Sequence, residues 1–230
     1  MRWIIVTCIA LVAGFAGAAA WDYAGLGPDR TRAALLANPE MLPEAMQELQ
    51  RRDMVARIEP VRSELETPFP GAVLGNPEGA VTLVEFSDYA CGYCRQSVAD
   101  VNRLIAANPD LRVVIREYPI LSAGSADAAR MALAAADQGR FEQFHNAMFG
   151  AESLSPENIA QAASRAGMNV ERAQAAIEAG LYEAQLQNNM FLAQNMGVSG
   201  TPAWVVGDQV LSGAVGAEVL NAAIDEARDS

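Results

Sequence analysis

Two cysteines three positions apart, placed where a strand hands over to a helix, constrain this chain more than any other feature in it. Val81 to Phe86 is β-branched and apolar enough for a buried strand, and Cys91-Gly92-Tyr93-Cys94 opens a helix-like stretch that runs to Ala107. On the first turn of a helix, residues i and i+3 share a face, so the two sulfurs can close a small disulfide or open to a dithiol. The first sulfur also meets the unpaired N–H groups and positive end of the helix, which favour a thiolate. Cys91 is therefore expected to be the exposed nucleophile, and Cys94, one turn in, the partly buried thiol that resolves a mixed disulfide.

The remaining cysteine, Cys8, lies in an apolar run from Trp3 to Ala20 that follows Arg2 and ends in Ala18-Ala19-Ala20. This reads as a signal peptide over residues 1–20 with Ala18 and Ala20 at the cleavage box, rather than an uncleaved anchor, because its second half is Ala and Gly. An exported chain left with Cys91 and Cys94 alone is not a disulfide scaffold. A structural zinc would need two further ligands, and His145 is the one conventional N or S donor left. Soft Cu(I) held by the two thiolates is the main non-redox competitor. A purely structural disulfide closing so short a loop adds little stability.

Composition narrows the chemistry further. The 230 residues carry 28 acids and 16 basic residues, a net charge of -12, and every basic residue is Arg. Nucleic acid is an unsuitable partner for such a surface, and the absence of Lys removes Schiff-base and P-loop chemistry. With 51% hydrophobic and 19% charged residues the chain should be globular.

Residues 28–66 show apolar positions at Leu42, Met46 and Leu49, then Val55, Ile58, Val61 and Leu65, with one slip between the sets. Two amphipathic helical pieces fit, with Asn38-Pro39 and Pro43 marking a helix start and Pro60 kinking or ending the second piece. Thr67 to Gly71 reads as a linker. Leu111 to Glu117 is a second strand, and the short strand-helix-strand unit favours a parallel pair and an α/β domain. Residues 122–196 show only helical patterning. Ala203 to Val206 and Gln209 to Leu211 form a hairpin around Gly207-Asp208, followed by a last helix from about Gly216 to Arg228.

The segment Glu85-Phe86-Ser87-Asp88-Tyr89-Ala90-Cys91-Gly92-Tyr93-Cys94-Arg95-Gln96 resembles the active-site segment of exported thioredoxin-fold Dsb proteins, and Gly197-Val198-Ser199-Gly200-Thr201-Pro202-Ala203 resembles their cis-proline loop. The helical block between is similar to the insert of the DsbA-like branch. The resemblance implies a thioredoxin fold split into residues 71–121 and 197–230 around a helical domain at 122–196, behind an N-terminal segment at 21–70 that resembles that of ScsC-like (suppressor of copper sensitivity) proteins. Gly92-Tyr93, and Thr201 before Pro202, look more like the disulfide isomerase branch than the strong oxidases. Arg95 stands where many relatives have Lys and is expected to keep a positive charge near the thiolate.

The resemblance also implies roles. Cys91 and Cys94 are the exchanging pair. Gly92, Tyr93, Thr201 and Pro202 meet substrate, with a cis peptide before Pro202 leaving the Thr201 backbone free to pair with an extended chain. Glu85 is a proton relay for Cys94 if it is buried, and a solvent-facing strand residue if it is not. His145, among aromatic residues at helical spacing, is read as packing or surface, Met41, Met46 and Met54 as helix-interface filler, and Tyr93 and Trp204 as an apolar rim.

Taken together, the expectation is a periplasmic thiol-disulfide oxidoreductase acting on unfolded or misoxidised exported proteins, with isomerase or reductase activity favoured over oxidase. It would need no cofactor beyond the Cys91–Cys94 disulfide and no metal, although Cu(I) is a candidate ligand. A membrane-bound redox partner would keep the pair reduced, and residues 28–66 would join copies, a trimer being favoured.

Overall fold

The computed structural model describes residues 2–24 and 28–229, which form two compact units with the boundary at Gln50 and Arg51. The first unit holds helices α1 (Arg2–Tyr23), α2 (Pro28–Ala37) and the first half of α3 (Met41–Ile58). Pro43 falls in the first turn of α3, where its missing N–H has no intrahelical partner to lose. Leu36, Met41, Leu42, Met46 and Leu49 are all exposed.

The two expected helical pieces in fact join. α3 runs through the slip in the pattern, because straight-chain residues such as Gln47, Glu48, Arg51 and Arg52 carry the helix across it. Pro60 then acts as expected: α3 stops at Ile58, a 3-10 turn covers Glu59–Val61, and a short α4 follows at Arg62–Glu66.

The second unit is built on a five-stranded sheet of order β1-β3-β2-β4-β5, with β1 Val73–Gly75, β2 Val81–Ser87, β3 Leu111–Glu117, β4 Ala203–Val206 and β5 Gln209–Ser212. β2 and β3 are parallel, joined through α5 (Gly92–Ala107), and the other three pairings are antiparallel. β1 was not anticipated from the sequence: three residues ending in Gly75 carry no readable alternation. Five helices fill the span between β3 and β4: α6 (Ala123–Asp137), α7 (Phe141–Phe149), α8 (Pro156–Arg165), α9 (Val170–Glu178) and α10 (Glu183–Asn195). α11 (Ala217–Arg228) closes the chain.

Each face of the sheet has its own core. Leu83, Val113, Ile115, Trp204 and Val206 pack with Cys94, Val101 and Leu104 of α5, with Leu220 and Ile224 of α11, and with the Ala-rich α6. On the opposite face Val84, Phe86, Val114 and Val205 meet Leu192 and Met196 near α10 and, from the segment before the sheet, Ile58 and Leu65. Residues 51–70 are thereby part of the sheet's own unit, whereas the linker-type composition places the start of this domain at 71. Arg116, fully buried on β3, fastens this segment: its guanidinium donates to Leu65 O (3.0 Å) and Thr67 O (2.6 Å), to Glu64 O, and to Asn189 Oδ1 of α10 (3.2 Å). Arg62 of α4 adds a second fastening, reaching Asp208 Oδ1 (2.6 Å) and Gly207 O (2.9 Å) in the β4–β5 turn.

Candidate active site

The sheet topology brings two distant segments together. β4 runs antiparallel to β2 with Ala203 opposite Phe86, so the residues just before β4 lie beside those just after β2. Thr201 and Pro202, joined by a cis peptide bond, thus meet Cys91 across 110 positions of sequence, with Cys91 Sγ donating to Thr201 O at 3.1 Å.

Asp88 fixes the loop that carries Cys91. One carboxylate oxygen accepts from the Ala90 N–H (2.8 Å), and the other from the Ile120 and Leu121 N–H groups (2.9 and 3.0 Å) at the entrance to the helical insert. Cys91 then caps α5, its sulfur accepting the Cys94 N–H at 3.4 Å. Both cysteines are free thiols. Cys91 is less exposed than its sequence position implies, with 6% of its surface accessible, because the Thr201 carbonyl lies over it. Cys94 is fully buried. Burial pushes its thiol pKa up, and the nearby Glu85 carboxyl adds to the rise.

Glu85 is buried, which settles its two readings in favour of the interior. It shares a sheet face with Leu83 and sits opposite Trp204, and desolvation there lifts its pKa to about 7. Trp204 does not form part of an apolar rim. It is fully enclosed, and its indole N–H donates to Gly213 O at 2.9 Å. Tyr93 is well exposed, and a side chain at Gly92 would project into open space, so the approach to Cys91 is clear on that side. Arg95 is committed elsewhere: its guanidinium donates to Ala151 O at 3.0 Å, tying α5 to the segment after α7.

Several residues of the site were not singled out from sequence. Tyr89, buried two positions before Cys91, has its hydroxyl 3.1 Å from Glu117 Oε1 and 3.2 Å from His145 Nδ1. His145 is packing rather than surface, as one of its two readings held, with Nδ1 in addition within reach of the Tyr89 hydroxyl. It stacks against Phe141, Tyr89 and Phe149 while burial lowers its pKa to about 4. Glu117 is buried as well, and desolvation holds it well above the usual carboxylate range. An acid ending an apolar strand, two residues beyond Ile115 on the same face, is the signal that could have found it. Among the described residues no group of three or more His, Cys, Asp or Glu gathers in a form that could hold a metal ion.

A sheet of this order with an N-capping cysteine of a CxxC pair, a proline loop over it and helices inserted between the halves defines a thioredoxin-fold dithiol protein of the helically inserted kind. The DSBA-like thioredoxin domain matches residues 82–225, and the chain belongs to that family. A thioredoxin-like oxidoreductase from Silicibacter pomeroyi is 45% identical over 69% of this chain and 92% of its own, with a TM-score of 0.66. Salmonella enterica Typhimurium BcfH is 27% identical, covering 96% of this chain and 99% of its own, at a TM-score of 0.69. Proteus mirabilis ScsC in a transitional conformation is 25% identical, covering 86% and 91%, at 0.64. Among curated sequences, a Na(+)/H(+) antiporter NhaA 3 of Salinispora tropica is 27% identical over 204 residues, 87% of this chain and 29% of that protein. The chain therefore spans less than a third of the length of the curated relatives first matched. The chain thus carries the DsbA-like thioredoxin fold with a CxxC dithiol at its site, and it is similar in structure to a protein described as a thioredoxin-like oxidoreductase.

Proposed function

We propose that this protein is a periplasmic disulfide isomerase or reductase, exported by a signal peptide cleaved after Ala20, that acts on unfolded or misoxidised exported proteins. The observation that carries this reading is the full burial of Cys94 beneath Cys91, which favours its protonated thiol. Cys91 attacks a wrong disulfide as thiolate, forming a Cys91–substrate bond and releasing one substrate thiolate. Cys94 can close on Cys91 only after losing its proton, and burial makes that loss costly. A mixed disulfide that resolves slowly from within leaves time for another substrate thiol to attack it, which regenerates reduced enzyme and rearranges the substrate. When Cys94 does close, Glu85 takes its proton, the Cys91–Cys94 bond forms, and the second substrate thiolate leaves with two electrons.

Thr201 offers its backbone to an extended substrate beside Cys91, with Gly92, Tyr93 and Pro202 lining the approach. A membrane-bound reductase restores the dithiol. The exposed apolar positions Leu42, Met46 and Leu49 join copies of the chain, a trimer being the favoured order, so that several sites face one client.

The test is recovery of activity from a scrambled, fully oxidised multi-disulfide substrate in glutathione buffer, for the full mature chain and for one beginning at Arg51. Recovery that requires Cys91 and falls on shortening supports the isomerase reading. Rapid oxidation of a reduced substrate with no recovery by either form would assign an oxidase instead.

A further inference from the structure

The buried polar groups of the site outnumber those the exchange reaction uses. Glu85 and Ser87 on β2 and Glu117 on β3 share the face that carries Cys94, since Ser87 pairs with Glu117 in register and Glu85 with Ile115. Three acids, Glu85, Asp88 and Glu117, are therefore enclosed together beneath the active-site helix. Asp88 is held by three backbone N–H groups. Among the described residues Glu117 has one side-chain partner, the Tyr89 hydroxyl, which in turn meets His145 of α7. Every titratable group bearing on Glu117 is thus anionic or neutral: Glu85 from β2, Asp88 and Tyr89 from the active-site loop, and, through Tyr89, His145 from α7. Its chain neighbour Arg116 lies on the opposite face of β3, bonded to the carbonyls of Leu65 and Thr67.

We propose that Glu117 is a second proton-linked positioning residue for the Cys91–Cys94 exchange, binding a proton when the pair is reduced and, by the charge it carries or lacks, controlling when Glu85 can ionise. This inference rests on the reading of Glu85 as the proton carrier of Cys94. Two carboxylates and a thiolate cannot share one dry pocket, so charge appearing at one raises the proton affinity of the others. In the oxidised protein the Cys94 sulfur is bonded to Cys91 and uncharged, and Glu117 loses its proton more easily. Reduction by a substrate dithiol breaks the Cys91–Cys94 bond, passes two electrons to those sulfurs and joins the two substrate sulfurs. Cys94 takes the proton that Glu85 gives up, and of the two protons the substrate thiols release one is bound at Glu117, held there by the carboxylate left at Glu85, and the other goes to solvent. The Tyr89 hydroxyl donates to the Glu117 carboxylate and, with the imidazole hydrogen on Nε2, turns to His145 Nδ1 when Glu117 is protonated.

The experiment is the pH dependence of the exchange equilibrium between the Cys91–Cys94 pair and glutathione, for the full chain and for Glu85→Gln, Glu117→Gln and Tyr89→Phe. Each extra proton bound on reduction makes the equilibrium constant vary about tenfold more per pH unit across the interval where it is bound. Glu117→Gln is expected to lose one such interval, whereas Glu85→Gln keeps a one-proton interval because Cys94 then draws its proton from solvent, with no carboxylate formed at position 85 to hold a proton on Glu117. Tyr89→Phe should move that interval to higher pH, because it removes a donor that favours the carboxylate. A merely structural role would shift the constant at all pH values and leave its slope alone. A wild-type slope in Glu117→Gln overturns the proposal. If the redox-linked carboxyl band in the infrared difference spectrum persists in Glu85→Gln, the Glu85 reading fails and the proton linkage of Glu117 stands by itself. Should Glu117→Gln not fold, the redox-difference infrared spectrum of the wild-type chain decides between the cases: a carboxyl band that shifts in Tyr89→Phe supports the assignment, because the Tyr89 hydroxyl bonds Glu117, and a spectrum unchanged by that substitution overturns it.

Discussion

Cys91 Sγ lies 3.1 Å from the carbonyl oxygen of Thr201, and the fully buried Cys94 stands one helical turn further in. That placement separates the two sulfurs by depth, and the deeper one keeps its proton more tightly. Cys94→Ser should therefore leave a mixed disulfide on Cys91 that nothing inside the protein can release, and the trapped species will be seen as a substrate adduct on a non-reducing gel. Cys91→Ser should form no adduct, and its turnover should fall to background.

Glu85 and His145 make opposite contributions to stability as pH changes. Glu85 is raised in the folded state to about 7 from 4.5, so the stability it permits is full below its unfolded value and is lost as pH rises through about 7. The loss is about 3 kcal/mol, since each tenfold change in proton affinity is worth about 1.4 kcal/mol. Glu85→Gln should be more stable than wild type by about that amount in mildly alkaline urea titrations, with the difference vanishing in acid. The same substitution should slow closure of Cys94 onto Cys91 by about 10²-fold, the lower range for loss of a placed proton carrier.

His145 runs the other way. Its folded value of about 4 lies below the unfolded 6.5, so its contribution is full above 6.5 and is lost as pH falls to about 4. His145→Gln should flatten the acid side of the stability profile by about 3 kcal/mol. Equal slopes in the two proteins between those limits would show that the imidazole is not excluded from water as the structure places it.

The elements with a strong period are legible in the residues themselves: β2, α5, β3, the β4–β5 hairpin and the last helix all lie within a few residues of where alternation and punctuation put them. The cysteine pair and the Thr201-Pro202 loop are legible because each sits at an element boundary, where side-chain type and backbone position constrain each other. Other features have no such signature. Trp204 reads equally as rim or core, and the choice is made by its register opposite Glu85. Arg95 finds its partner in a backbone carbonyl of Ala151, and Arg116 finds three in residues 64–67, and carbonyls leave no trace in residue type. Glu117 is hidden because one acid at the end of a strand normally faces water.

Arg116 supplies the last prediction. It is a cation with its charge dispersed over carbonyl oxygens and the Asn189 amide, and burial lowers its pKa to about 10. Arg116→Met would keep most of the buried volume while leaving the Leu65 and Thr67 carbonyls without their donor. Leaving such groups unpaired should cost about 2 to 4 kcal/mol. The cost should fall locally before it is felt globally, because residues 62–67 are held by Arg116, by Arg62 and by the burial of Leu65. Hydrogen exchange should therefore speed up in α4 and the residues after it in Arg116→Met, while α5 and the Cys91–Cys94 turn keep their protection. Equal acceleration in α5 would mean that the segment before the sheet and the active-site helix open as one unit, and that this fastening holds the whole domain rather than the segment alone.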